Sequence, residues 1–336
     1  MGDAHGRVRE ARSGRRVCRD PVEVIATVGA AVDLGSNSVH LLVAAVAEHR
    51  LDPLVDESVF LGLGHAVDAE GRLGRTARGV LVDALVRYAQ VARDLGATAI
   101  TFVGTEPIRR AADAAAIVGE VEAAAGVPLH VLTHEEEAYL TVVGVMAGRL
   151  VDRETLIVDI GGGSSEFCVV SPTDPPRASG LKLGSARLTA RHVTGDPATR
   201  PEVAAMIADA ASILDSAPPI APAEIVAVGG TATNLLKVVP EAMLGHVLTR
   251  DWIAQALGIL ESETAEVSAD RHLIKPVRAH ILPAGAAIMD ALLTRYAVAR
   301  IRVSEAGVRE GAILVVDHVG VAWRDRLPEL AHGWRT

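Results

Sequence analysis

Two short acidic bends carry the residues whose types and spacing point most directly to chemistry. Asp33-Leu34-Gly35 leads into Ser36, Asn37 and Ser38, and Asp159-Ile160-Gly161 leads into Gly162, Gly163, Ser164 and Ser165. Glycines let a backbone approach an anion closely, and hydroxyls with free amides complete a phosphate cradle. A tight hairpin bend would use the same glycines, so one such turn is weak evidence. A third turn, Gly229-Gly230-Thr231, follows a strand-like stretch from Glu224 to Val228 and opens a helix near Thr231. Three such turns together read as a phosphate site. Carboxylates beside a phosphate cradle are unfavourable unless they hold a divalent cation or orient a water. That gives Asp33, Asp159 and Glu166 a reason to exist and implies magnesium. The plainer alternatives are turn formation for the two aspartates and an outward strand position for Glu166.

The stretch PLHVLTHEEEAYL adds a further carboxylate. Thr133 followed three residues later by Glu136 is a capping box, so a helix starts at Thr133 and Glu136 turns back toward its cap. Glu137 is left over, on one helical face with Thr141 and Gly144, a face of small residues suited to approaching a ligand. The alternative is that Glu135, Glu136 and Glu137 merely complement the helix dipole. Arg109 and Arg110 follow the Gly104-Thr105 turn, and Lys182 and Arg187 flank Gly184-Ser185; all four can contact an anion or form surface pairs. Twelve histidines show no HExxH spacing, so His40 and His134 read as structural or exposed, and zinc is not indicated.

These bends need elements to hold them. From Thr27 to about Ala44 two β-rich stretches flank the first bend, and a second hairpin opens at Leu156 and closes at the Pro172 to Pro176 cluster. A shift of 126 positions carries Val32, Asp33, Leu34, Gly35 and Ser38 onto Val158, Asp159, Ile160, Gly161 and Ser164. An internal duplication follows: two α/β units, each opening with an acidic hairpin, whose tips face each other across a cleft. Between them, apolar residues at helical spacing from Leu81 to Leu95 predict an amphipathic helix stopped at Gly96. A buried strand ending at Gly104 and a helix running to about Gly126 follow. The expected division is a flexible basic arm over residues 1 to 24, domains over 25 to 149 and 150 to 325, and a tail over 326 to 336.

Composition narrows the functional classes. Forty-two acidic residues against 33 basic ones leave a formal charge of -9, which disfavours nucleic-acid binding through bulk charge. Aromatics make up 3% of 336 residues, so the core must be aliphatic and a base-stacking surface is hard to build. Cys18 and Cys168 form neither a disulfide framework nor a CxxC pair. With no apolar run of the ~18 residues that span a bilayer and no signal core, a cytoplasmic protein without membrane association is expected.

Taken in order, VDLGSNSVHLLVA at Val32, VGTEPIRRA at Val103, HEEEAYL at His134, VDIGGGSSEF at Val158, GLKLGSARLT at Gly180, AVGGTAT at Ala227, ILPAGAAIMDALL at Ile281 and VSEAGVREGAIL at Val303 resemble the exopolyphosphatase and guanosine pentaphosphate phosphohydrolase family, within the actin, Hsp70 and sugar-kinase superfamily. The resemblance covers about residues 28 to 318. It implies two ribonuclease-H-like (actin-like ATPase) α/β domains with an interdomain cleft, and magnesium-dependent release of terminal phosphate from polyphosphate or guanosine pentaphosphate. By position, Glu137 corresponds to the catalytic glutamate that orients or deprotonates water, and Asp159 and Glu166 to carboxylates of metal and catalysis. Asp33 corresponds to the first phosphate-motif aspartate and Arg109 to a phosphate-contacting arginine. Asn37, Ser38, Gly161, Gly162, Gly163, Ser164 and Ser165 match the phosphate loops, and Gly229, Gly230 and Thr231 the third turn. Tyr139 departs from an arginine common in the family, which puts a cationic contact near Glu137 in question. Longer members continue into a helical domain that grips long polyphosphate, so short polyphosphate or a nucleotide is expected as substrate, and a homodimer is compatible. A kinase of the same superfamily and a non-catalytic alarmone or polyphosphate sensor are the rival readings.

Overall fold

The computed structural model describes residues 26–334. The basic arm expected over residues 1 to 24, and Cys18 within it, lie outside the described residues. The first sheet is built from β1 (Thr27–Leu34), β2 (Ser38–Ala47), β3 (Arg50–Phe60), β4 (Ala99–Gly104) and β5 (Leu129–Val131). Helices α1 (Leu63–Glu70) and α2 (Gly74–Asp94) join β3 to β4, α3 (Glu106–Arg110) and α4 (Ala114–Ala125) join β4 to β5, and α5 (His134–Met146) leads out. The second sheet begins with β6 (Thr155–Ile160), β7 (Ser165–Val170) and β8 (Arg177–Leu181), followed by α6 (Ser185–His192), α7 (Arg200–Leu214), β9 (Glu224–Val228), α8 (Gly229–Val238) and α9 (Pro240–Met243). It continues through β10 (Val247–Thr249), α10 (Arg250–Leu260), α11 (Ala265–His272), α12 (Pro276–Arg295) and β11 (Arg300–Val303). The chain then enters α13 (Val308–Val319), a 3-10 segment (Gly320–Arg326) and α14 (Leu327–His332).

The duplication seen in the sequence is a duplication of topology. The first sheet runs β3-β2-β1-β4-β5, and the second, taken from its β8 edge, runs β8-β7-β6-β9-β11-β10. In each, the bend-forming strand pairs antiparallel with the strand after it and parallel with a later one: β1 with β2 and β4, β6 with β7 and β9. This is the mixed α/β, two-sheet architecture expected from the motifs. Strand β3 had no signal in the sequence. It is an edge strand holding Pro53 beside a register irregularity opposite Val43 and Ala44, a position where proline's missing N–H costs no ladder bond.

Strand alternation decides which face each sheet shows. Ala30, Val32 and Leu34 of β1 pack with α2 and α4, whereas Ala31 points the other way. In β6, Leu156, Val158 and Ile160 pack into the second lobe, and Ile157 points back. Between the sheets lie α5 and α13, sharing one core with Ala31, Leu42, Ile157, Cys168 and Val226. The two helices cross closely at Gly144 and Gly311, where a Cβ on either would strike the other's backbone. The small-residue face of α5 thus approaches a helix at Gly144, correcting the expectation that it approaches a ligand. Residues 327–332 are no tail: α14 packs on α5 with Leu327, Leu330 and Ala331 buried. Helix α12 is long and apolar enough to cross a membrane, yet 72% of that window is buried, as a core helix requires.

Candidate active site

Both acidic bends close with the same hydrogen bond. Gly35 N–H donates to the Ser38 carbonyl at 3.1 Å and Gly161 N–H to the Ser164 carbonyl at 3.0 Å. Because β1 and β6 end side by side across the α5–α13 layer, both bends open into one cavity of about 500 Å³, lined by Asp33, Asn37, Ser38, Asp159, Gly161 to Ser164, Glu166, Gly229 and Gly230 among others. The tips nearly touch: a Cβ on Gly162 would lie 2.6 Å from Asn37 Nδ2, and that amide nitrogen has no hydrogen-bond partner among the described residues. A buried donor facing a gap between two glycine-rich bends is suited to an anionic oxygen.

Glu137 sits where the helical start predicts. Thr133 Oγ1 accepts from Glu136 N–H at 3.2 Å while Glu136 accepts from Thr133 N–H at 2.8 Å, and Arg324 Nη2 donates to Glu136 at 2.8 Å. With Glu136 committed to the cap, Glu137 turns into the cavity and is only 7% exposed. Arg109 Nη1 holds it, donating to Glu137 Oε2 at 3.1 Å and to the Leu132 carbonyl at 2.6 Å. Desolvation raises the Glu137 carboxyl well above the usual carboxylate range, the charge of Glu166 adds to this, and Arg109 opposes it. Desolvation likewise pushes Asp33 up to about 6 against Arg309's opposing charge, and Asp159 up to about 7 with Glu166 and Asp33 adding.

This crowd of carboxylates needs positive charge. Asp33 Oδ1 is shielded from solvent without a partner among the described residues, and a Cβ on Gly229 would come 2.7 Å from Asp159 Oδ1, so glycine keeps that oxygen clear. An orphaned carboxylate oxygen among further carboxylates fits a hard divalent cation with oxygen ligands. His134, Glu137 and Glu166 also lie within metal-ligand reach of one another. There the Arg109 guanidinium already stands, 3.1 Å from Glu137, 2.9 Å from His134 Nδ1 and 3.8 Å from Glu166.

Several sequence expectations change. Ser164 lines the cleft and donates to Glu166 Oε1 at 2.8 Å, but Ser165, one step along the strand, points the opposite way and donates to the Leu183 carbonyl at 2.6 Å. Thr231 is buried behind the third turn, 3.5 Å from Ser185 Oγ. Neither faces the cleft as a phosphate contact. The Gly-Gly turn is itself the first turn of α8, with Gly229 at φ 90°. Tyr139 donates to the Pro176 carbonyl at 3.4 Å and packs on the central core, so it neither lines the cleft nor touches Glu137. Arg187 is tied to Glu106 (2.9 Å) and the Gly163 carbonyl (2.8 Å), Arg110 pairs with Glu106 and Asp68, and Lys182 is exposed.

Other side chains had no signal as site residues. His134 Nδ1 lies 2.8 Å from Glu166 Oε1, and its ring fits because residue 180, opposite Glu166 in the β7–β8 ladder, is glycine. Arg278 of α12 reaches Ser38 Oγ (3.5 Å) and His40 Nε2 (3.3 Å) and makes no ion pair among the described residues. Burial, then Arg309 and Arg278, push His40 down to about 3, leaving it a neutral acceptor. Arg309 of α13 pairs with Asp56 at 2.6 Å. The nearest clues were Arg278's place just before the apolar run at Ile281 and Arg309 within VSEAGVREG.

Comparison with known proteins matches this geometry to one family. Residues 42–318 match the Ppx/GppA phosphatase family. Exopolyphosphatase 1 of Mycobacterium tuberculosis is 28% identical over 307 residues, spanning 84% of this chain and 86% of that protein. The guanosine-5'-triphosphate,3'-diphosphate pyrophosphatase of Vibrio cholerae is 27% identical over 297 residues, 84% of this chain but 58% of that longer protein. Among solved structures, the Aquifex aeolicus Ppx/GppA family member superimposes with a TM-score of 0.76 at 26% identity, covering 88% of this chain and 99% of that one.

Proposed function

This chain belongs to the Ppx/GppA phosphatase family, and from that premise we propose that it is a phosphoanhydride hydrolase releasing terminal orthophosphate from inorganic polyphosphate or guanosine pentaphosphate. The observation that carries the reading is Glu137, buried at the meeting of two acidic, glycine-rich bends and raised toward the range of a general base. Phosphoryl transfer asks the protein for positioning and charge neutralisation more than for covalent chemistry. Glu137 orients the attacking water and takes up its proton at a carboxylate oxygen, and Arg109 fixes the carboxylate's direction. The amide of Asn37, the hydroxyls of Ser38 and Ser164 and the Gly161–Gly163 and Gly229–Gly230 backbones surround the phosphate. Asp33, Asp159 and Glu166 would hold a divalent cation, in this reading magnesium, which when bound neutralises charge on the transferred group.

The reading places the protein in the cytoplasm with a small polyanion as its partner. Its test is phosphate release from tripolyphosphate, long polyphosphate and guanosine pentaphosphate, with magnesium and with chelator. Magnesium-dependent release from at least one substrate is expected. No release from any of them, with phosphorylation of an acceptor by ATP instead, would move the chain to the kinase reading.

A further inference from the structure

One wall of the cleft carries cations that no carboxylate pairs with among the described residues. On α8, Gly230, Thr233, Asn234 and Lys237 all line the cavity, and their i, i+3, i+4, i+7 spacing puts them on one helical face. The stripe runs about 10 Å from the glycine turn to Lys237 at the 1.5 Å rise of a helix. Lys275, at the start of α12, lines the same cavity. Arg109, Arg187 and Arg309 are each held by carboxylates. By contrast, Lys237 makes no hydrogen bond or ion pair among the described residues, and Lys275 donates only to Ser58, at 2.9 Å to its hydroxyl. Arg278, between the stripe and the first bend, has only neutral partners. The cleft thus holds Asp33, Glu137, Asp159 and Glu166 at the bends, Asp56, Glu305 and Glu310 elsewhere in its lining, and Lys237, Lys275 and Arg278 without a carboxylate partner among the described residues.

We propose that the α8 face ending at Lys237, with Lys275 beside it, binds the trailing phosphates of a linear inorganic polyphosphate, and that this chain prefers polyphosphate to guanosine pentaphosphate. The inference rests on the hydrolase reading above and chooses between its two substrates. With the terminal phosphate at the bends, a linear chain continues to place charge against the stripe. A guanosine pentaphosphate places a ribose and a base there. Among the described residues no Phe, Tyr or Trp lines the cavity, so the base finds no ring to stack on, the contact that usually orients an unpaired base.

The test compares wild type with Lys237→Gln, Lys237→Arg and Lys275→Gln on tripolyphosphate, long polyphosphate and guanosine pentaphosphate. Binding of each compound to Glu137→Gln protein is measured calorimetrically in parallel. Expected are tighter binding and lower KM for long polyphosphate than for tripolyphosphate. A rise in KM of about five-fold per lysine-to-glutamine change, the size of one partly solvated ion contact, should be larger on the long chain, reversed by Lys237→Arg and weakened by added salt. A higher kcat/KM for guanosine pentaphosphate, or glutamine variants with wild-type KM and affinity at every length, overturns the proposal. Length-dependent binding through the lysines without phosphate release would refute the hydrolase reading and leave the binding face standing.

Discussion

Asn37 of the first bend and Gly162 of the second meet across the cleft so closely that a Cβ on Gly162 would lie 2.6 Å from the Asn37 amide nitrogen. Two halves of a duplicated fold therefore contribute to one anion cradle, and the glycine is what lets their tips converge. Gly162→Ala should fold normally, because the atom it strikes ends a side chain that can rotate away. That rotation removes an amide donor from the cradle, so KM should rise about ten-fold, the worth of a hydrogen bond to a charged group. Steady-state kinetics beside a melting curve checks this; an unchanged KM would remove Asn37 from the cradle.

Gly180 and His134 form a second such pair. The imidazole lies over the glycine and contacts Glu166, which Ser164 also contacts. Gly180→Ala displaces the ring, so it and His134→Ala should lower kcat by similar factors, about ten-fold, and their combination should cost little more than either alone, as expected for residues acting through one contact. Fully additive losses would show that His134 does not act through Glu166.

Asp33 and Asp159 give the metal-free protein a pH signature. Their folded-state pKa values of about 6 and 7 stand above the ordinary 3.8, so the folded protein binds more protons than the unfolded chain in that window. Stability in chelator should fall as pH rises from about 4 to about 7. A cation held by these carboxylates competes with their protons, and the rise in Tm on adding magnesium should therefore grow across the same interval. A magnesium effect independent of pH would place the cation elsewhere.

Arg109 offsets part of the desolvation that raises Glu137. Removing it in Arg109→Ala should raise the Glu137 pKa further, shifting the acidic limb of the kcat/KM profile to higher pH and lowering the rate at neutral pH by about a hundred-fold, the scale of losing one positioned donor. Arg109→Lys, which keeps charge but not the fork that spans Glu137 and the Leu132 carbonyl, should restore the limb more than the rate. An acidic limb that stays in place in Arg109→Ala would separate it from Glu137.

What the sequence showed was what lies close along the chain. The Asp33 and Asp159 bends, the Thr133–Glu136 cap and the strand from Glu224 to Val228 are each local patterns, and each became an element or bend. Errors arose where a motif was read without its geometry. Ser164 and Ser165 sit side by side in the sequence, but a strand sends alternate residues to opposite faces, so only Ser164 reaches the cleft. Gly144 shares a helix face with Glu137 yet meets α13 about two turns further on. Other residues needed tertiary structure: Arg278 reaches Ser38 across 240 positions and Arg309 reaches Asp56 across 253, distances over which no periodicity carries information. Strand β3 was invisible because Pro53 and its exposed, polar pattern contradict strand propensity except at a sheet edge.

The account stands on Glu137 as the group that directs water. The most direct measurement is magnesium-dependent phosphate release from polyphosphate by Glu137→Gln protein, with a melting curve to show that it is folded. A drop in kcat of about 10²- to 10⁴-fold, the usual contribution of a positioned general base, with polyphosphate affinity retained, is the predicted result. A folded Glu137→Gln protein turning over at the wild-type rate would contradict the account.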